Sequence, residues 1–104
     1  MKSRFKYQVL PYKKIFVVGV PGSGKTTFAK NYAAFLRKQY IDYDANYDYN
    51  ADKKTETARL LSILPDEFIM DNVAHTDEID LFEFSEYYER YKDEILFVVV
   101  FCSN

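Results

Sequence analysis

The sequence predicts an α/β fold, a three-layer α/β/α domain built on a mostly parallel sheet of four to five strands. Three observations carry this. Short apolar runs alternate along the chain with segments of helical periodicity, the pattern of strand–helix–strand units that build a parallel sheet through right-handed crossovers. The first and last runs, Ile15-Phe16-Val17-Val18 and Leu96 to Phe101, are continuous rather than alternating, which suits strands buried on both faces. A chain of 104 residues, 48% apolar with ten Tyr and nine Phe, has the means for one core, so residues 1–104 read as a single domain.

The elements follow in order. Residues 2–13 are basic with scattered apolar residues and read as a short strand or arm. Lys14 to Val20 forms the first strand, broken by three Gly and one Pro between Gly19 and Gly24. From Lys25 to about Gln39, Phe28, Tyr32, Phe35 and Leu36 recur at helical spacing, with Ala29 and Ala33 beside them. Tyr40 to Asp44 is expected as a second strand, running into a loop rich in Tyr, Asp and Asn. A helix from about Ala51 to Leu64 stops at Pro65 and turns Ala58, Leu61 and either Ile63 or Leu64 inward. Glu67 to Asp71 is a short third strand. A helix from about Leu81 to Asp93 lines up Phe84, Tyr87 or Tyr88, Tyr91 and Ile95 along one face. Leu96 to Phe101 closes the series.

Gly19-Val20-Pro21-Gly22-Ser23-Gly24-Lys25-Thr26 matches G-x-x-x-x-G-K-[ST] in full, after an apolar strand and at the start of an amphipathic helix. Glycines allow left-handed backbone and a close approach to a ligand. Successive N–H groups and the helix N-terminus then make an anion cradle, Lys25 can reach the β- and γ-phosphates, and the Thr26 hydroxyl can ligate Mg²⁺. In this stretch, and in its position in the chain, the sequence resembles the P-loop NTPases, in particular their nucleotide- and polynucleotide-kinase-like branch. The resemblance implies ATP and Mg²⁺ as ligands, with nucleotide contacts from Gly19, Pro21, Gly22, Ser23, Gly24, Lys25, Thr26 and Thr27.

Further positions take their roles from that resemblance. An acid at the end of the second strand receives the acceptor in such kinases; Asp44 matches the aspartate that orients or deprotonates the acceptor hydroxyl, with Asp42 as second choice. Loop capping by Asx turns is the plainer reading of both. Phe68-Ile69-Met70-Asp71 looks like a Walker B strand that sets the Asp71 carboxylate beside the phosphate loop, where it supports Mg²⁺ with Thr26. Tyr43, Tyr47 and Tyr49 could stack a nucleobase, although ordinary core or surface tyrosine is the simpler account. His75 has no Cys or His partner for a metal site, and Cys102 reads as buried filler.

Other branches match less well. Asp71-Asn72-Val73-Ala74 lacks the glycine of D-x-x-G, and Asn72 stands where many ATPases carry a second, water-activating acid. The implied activity is transfer of the ATP γ-phosphate to a hydroxyl of a nucleoside, nucleotide or nucleic acid; a non-catalytic nucleotide-binding module and an ATPase or GTPase are the alternatives. Kinases of this kind continue after the fourth strand into a lid carrying arginines. The sequence holds only Arg4, Arg37, Arg59 and Arg90, of which Arg59 is the best substitute. Ending at a bare sheet edge predicts self-association or an absent C-terminal portion.

Charge and composition bound the setting. Residues 1–41 carry nine Lys and Arg and no acid, residues 42–104 five Lys and Arg and all sixteen acids, so the two parts bear +9 and −11. Such a split can mark contact with nucleic acid, which the basic N-terminal arm would favour; the plainer expectation is that folding interleaves the halves. The positive part contains the phosphate loop and the first acids fall at the acceptor position. The longest apolar run, Ile95 to Cys102, is too short to span a membrane. A single cysteine and no secretory signal predict a reducing, cytoplasmic compartment.

Overall fold

The computed structural model describes residues 12–19, 23–72 and 79–100. Four strands form one sheet in the order β2-β3-β1-β4. They are β1 (Lys14–Gly19), β2 (Gln39–Asp42), β3 (Phe68–Asp71) and β4 (Ile95–Val100). Every pairing is parallel. Helices α1 (Lys25–Leu36), α2 (Tyr43–Asn46), α3 (Lys53–Ser62) and α4 (Leu81–Tyr91) connect the strands, and a 3₁₀ turn, Lys92–Glu94, leads from α4 into β4. The three-layer α/β/α expectation holds, with four strands.

The period-2 geometry of β1 explains the two halves of the core. Ile15 and Val17 point to one face, where they pack with Ile69 against Ala29, Tyr32 and Ala33 of α1. Phe16 points to the other, into a cluster with Phe68, Met70, Leu60 and Ile95, flanked by Phe84, Tyr87, Tyr88 and Tyr91 of α4. All four residues from Lys14 to Val17 are buried, as a strand covered on both faces requires. β4 lies at the sheet edge among the described strands and leaves Phe97 43% and Val99 52% exposed.

Several boundaries differ from expectation for local reasons. β2 ends at Asp42, not Asp44, because the Asp42 carboxylate accepts from the N–H groups of Asp44 and Ala45 and so caps the short helix α2. α1 ends at Leu36, where Arg37 takes a left-handed conformation (φ 58°) and its N–H bonds back into the last turn. Asp52 caps α3 and Asp80 caps α4 through side-chain bonds to Thr55 and Glu83 N–H. The inward face of α3 follows expectation at Leu61, which is buried, and at Leu64, which packs against the core while Ile63 is 61% exposed; Leu60, Glu56 and Thr57 are buried in addition.

Glu56 is buried because it closes the loop between α2 and α3. Its Oε2 accepts from Asp48 N–H at 2.7 Å, its Oε1 from Arg59 Nε at 2.7 Å, and Arg59 also donates to the Asn46 carbonyl at 2.9 Å. The hydrogen bond from Arg59, aided by that from Asp48, holds the Glu56 carboxyl at about 2, against an ordinary 4.5. A lowered folded value stabilises fully above the unfolded one, and the contribution fades as pH falls from about 4.5 towards 2. Glu56→Gln is therefore expected to flatten the acid limb of thermal stability in that window. A wild-type acid limb left unchanged by the substitution would contradict the assignment.

Candidate functional site

In an open parallel sheet the crevice for ligands lies beyond the carboxyl ends of the strands, where the strand order reverses. Here that point falls between β1, whose connection leads to β2, and β3, whose connection leads across to β4. β1 delivers Gly19 to it and β3 delivers Asp71. Gly19 has no room for a side chain: a Cβ there would lie 2.7 Å from the Val100 carbonyl oxygen and 3.0 Å from Ser23 Oγ. Gly24 sits at φ 85°, a left-handed conformation that suits glycine, with open space where a side chain would be.

Gly24 caps α1 without any side-chain hydrogen bond, and the first turn contains no acid. The leading N–H groups and the positive end of the helix dipole are thus left for an external anion. Ser23 supplies a second sign: its hydroxyl is buried and has no hydrogen-bond partner among the described residues. Unsatisfied buried hydroxyls are uncommon and fit a group waiting for a ligand oxygen.

Asp71 is completely buried and gathers the site around it. Thr26 Oγ1 donates to its Oδ2 at 2.7 Å and the Tyr40 hydroxyl to the same oxygen at 3.3 Å. Asn72 N–H donates to its Oδ1 at 2.7 Å, and Lys25 Nζ lies 3.9 Å from that oxygen. Burial, with Asp71 and Asp42 close by, pushes the Tyr40 phenol up to about 12, so it serves as a donor at neutral pH. Tyr40 was not among the residues singled out in the sequence. Its position two residues before the strand end is the only local signal.

The arrangement fits a magnesium–nucleotide. A hydroxyl and a carboxylate within hydrogen-bond distance are the hard oxygen donors Mg²⁺ takes, and this ion is usually held by one or two carboxylates plus substrate phosphates. Among the described residues no group of three or more His, Cys, Asp or Glu could hold a metal by itself. Thr26 and Asp71 could hold the ion, and Ser23, Gly24 and Lys25 could hold phosphate.

The two acceptor candidates are placed differently. Asp42 is the direct strand neighbour of Asp71 in the β2–β3 register, and its Oδ1 accepts from Asn72 Nδ2 at 2.9 Å. Asp44 sits exposed in the first turn of α2. Among the described residues, no hydrogen bond joins its side chain to Lys25, Asp42 or Asp71. Thr27, on the first turn of α1, is exposed. Tyr43 and Tyr47 are buried, 2% and 8% exposed, and their rings stack on each other at 5.2 Å. This is the plainer, core reading of these two tyrosines; Tyr49 is 51% exposed. Arg59 is committed to Glu56 and the Asn46 carbonyl and closes the loop. Pro21, Gly22, His75 and Cys102 lie outside the described residues.

A solved gluconokinase from Sinorhizobium meliloti 1021 superposes on this chain with a TM-score of 0.60 at 17% identity, covering 88% of the chain. The fold is P-loop kinase-like. The matched part spans 58% of the gluconokinase chain. No family model matches the sequence, and no curated protein matches it. Gly19 ends the central strand β1 and Lys25 and Thr26 open α1, the described ends of the glycine-rich segment. A cavity of about 350 Å³ lies at the opposite end of the sheet. It is bordered by Lys14, Leu61, Tyr87 and Arg90, and none of Gly19, Ser23, Gly24, Lys25 and Thr26 lines it. Among the described residues, no helix is long and apolar enough to cross a membrane.

Proposed function

We propose that this chain binds ATP with Mg²⁺ and transfers the γ-phosphate to a hydroxyl group. The supporting observation is the convergence on Asp71: Thr26, Lys25 and Asp42 are brought to one carboxylate from α1 and the neighbouring strand β2. In this reading Lys25 neutralises phosphate charge and the P-loop N–H groups, with Ser23 Oγ, hold phosphate oxygens. Thr26 and Asp71 hold the metal, which when bound would offset charge on the β- and γ-phosphates. Phosphoryl transfer needs positioning and charge stabilisation more than covalent help from the protein. Beyond these, it needs a base aimed at the acceptor oxygen. Asp42, next to Asp71, is the better placed of the two acids, with Asp44 behind it.

The acceptor we propose is a nucleoside, a nucleotide or a nucleic-acid end. A second reading is favoured by the burial of Tyr43 and Tyr47, which leaves Tyr49 as the one exposed ring of that trio for base stacking. It is a small polyhydroxylated acceptor, the class acted on by the gluconokinase that shares the fold. The test is transfer from γ-labelled ATP, with and without Mg²⁺, across nucleosides, nucleotides, oligonucleotides and gluconate-like sugar acids. Labelled product in one class assigns the acceptor. Nucleotide binding without transfer to any of them overturns the kinase reading and leaves a nucleotide-binding module.

A further inference from the structure

We infer that Asn72 is a positioning residue that locks the acceptor-side carboxylate, Asp42, to the metal-side carboxylate, Asp71; the inference rests on the kinase reading above. Parallel pairing sets Asp42 and Asp71 in register at the ends of β2 and β3. Adjacent strands lie about 4.8 Å apart, and like charges directly opposite each other repel. A single residue resolves that conflict. Asn72 N–H donates to Asp71 Oδ1 at 2.7 Å while its side-chain Nδ2 donates to Asp42 Oδ1 at 2.9 Å. Both donors come from one residue because its backbone is left-handed, with φ 66°. Asparagine is among the few non-glycine residues that adopt this conformation readily.

The clamp also decides which Asp42 oxygen faces the acceptor. Oδ1 already receives Asn72 Nδ2 and the N–H groups of Asp44 and Ala45. Among the described residues Oδ2 receives no hydrogen bond, so it is the oxygen left for an acceptor hydroxyl. Asn72 can do this because an amide donates. An aspartate there would add a third carboxylate to the pair and donate nothing from its side chain.

The experiment compares Asn72→Gly, Asp42→Ser and the double variant in the transfer assay. Glycine keeps the left-handed backbone and the N–H bond to Asp71 and deletes only the amide; serine keeps a cap for α2. Misplacing a reacting group by about 1 Å can lower a rate about 100-fold. Asn72→Gly is accordingly expected to lower kcat about 10- to 100-fold, with KM for ATP within about twofold of wild type. In the Asp42→Ser background the same change should cost less than about twofold, because there is no carboxylate left to position. Asn72→Asp, which also tolerates the backbone, should slow the reaction at least as much as Asn72→Gly and serves should the glycine variant fail to fold. Wild-type kcat in Asn72→Gly overturns the inference, and so does an undiminished loss in the Asp42→Ser background, which marks a general structural role. A wild-type protein that transfers phosphate to no acceptor instead overturns the kinase reading on which the inference rests.

Discussion

Replacing Lys25 with alanine is expected to lower the rate of phosphoryl transfer about 100- to 1,000-fold at saturating ATP, the scale observed when one preorganised charge-stabilising donor is removed from a transition state. Lys25 opens α1, its side chain is 12% exposed, and its Nζ sits 3.9 Å from Asp71 Oδ1. In the proposed transfer reaction, an ammonium held there would meet the charge that builds on the γ-phosphate and would need no reorganisation to do so. The variant should remain folded. Asp71 keeps three donors without it, from Thr26, Tyr40 and Asn72, so its buried charge is not abandoned. Measured kcat, with a melting curve on the same sample, separates the two effects. Retention of more than a tenth of the wild-type rate in a folded Lys25→Ala protein would remove Lys25 from the chemistry.

Phe16→Ala should be the most destabilising of the single changes considered, by about 3–5 kcal/mol. Phe16 is completely buried in the central strand. Its ring meets Phe68 edge-on at 5.5 Å and Phe84 edge-on at 5.6 Å, and it stacks on Phe97 at 5.4 Å. Truncation loses the transfer energy of the ring and leaves a cavity between two strands and α4, which cannot all close on it at once. Domains of this size are stable by only about 5–15 kcal/mol, so this one change should remove a large part of the total. Urea unfolding measures it, with Ile63→Ala as the control. Ile63 is 61% exposed and should change stability by no more than about 0.5 kcal/mol. Similar losses at both positions would mean that the core is not where this fold places it.

The fold was largely legible along the chain because its signals are local. A continuous apolar run such as Ile15 to Val18 is the mark of a strand covered on two faces, and the face of α4 carrying Phe84, Tyr87 and Tyr91 reads directly from helical spacing. Legibility failed where a side chain competed with the backbone or answered a distant group. Asp42 looked like strand interior followed by more strand; its carboxylate instead captures two N–H groups and starts α2. Glu56 is a charged residue within the helix expected from about Ala51 to Leu64, with no local signal for burial. It is buried because Asp48 N–H and Arg59, brought together by the turn of the loop, satisfy both its oxygens. The tyrosines at 43 and 47 could be ligand platform or core by sequence, and packing beneath α2 decided for core.

The candidate site divides the same way. The glycine-rich segment, Lys25 and Thr26 are contiguous, so the candidate motif from Gly19 to Thr26 can be read without tertiary information. The partnership of Thr26 with Asp71, 45 residues apart, and of Asn72 with Asp42, 30 apart, exists only because parallel pairing through helical crossovers sets the ends of α1's neighbouring strands side by side. Sequence by itself determined the class of fold and singled out the glycine-rich segment and the carboxylates Asp42 and Asp71 as candidates. Which carboxylate faces which, and that an asparagine in a left-handed turn holds two of them together, was decided by strand register, a long-range property that no local pattern of residues encodes.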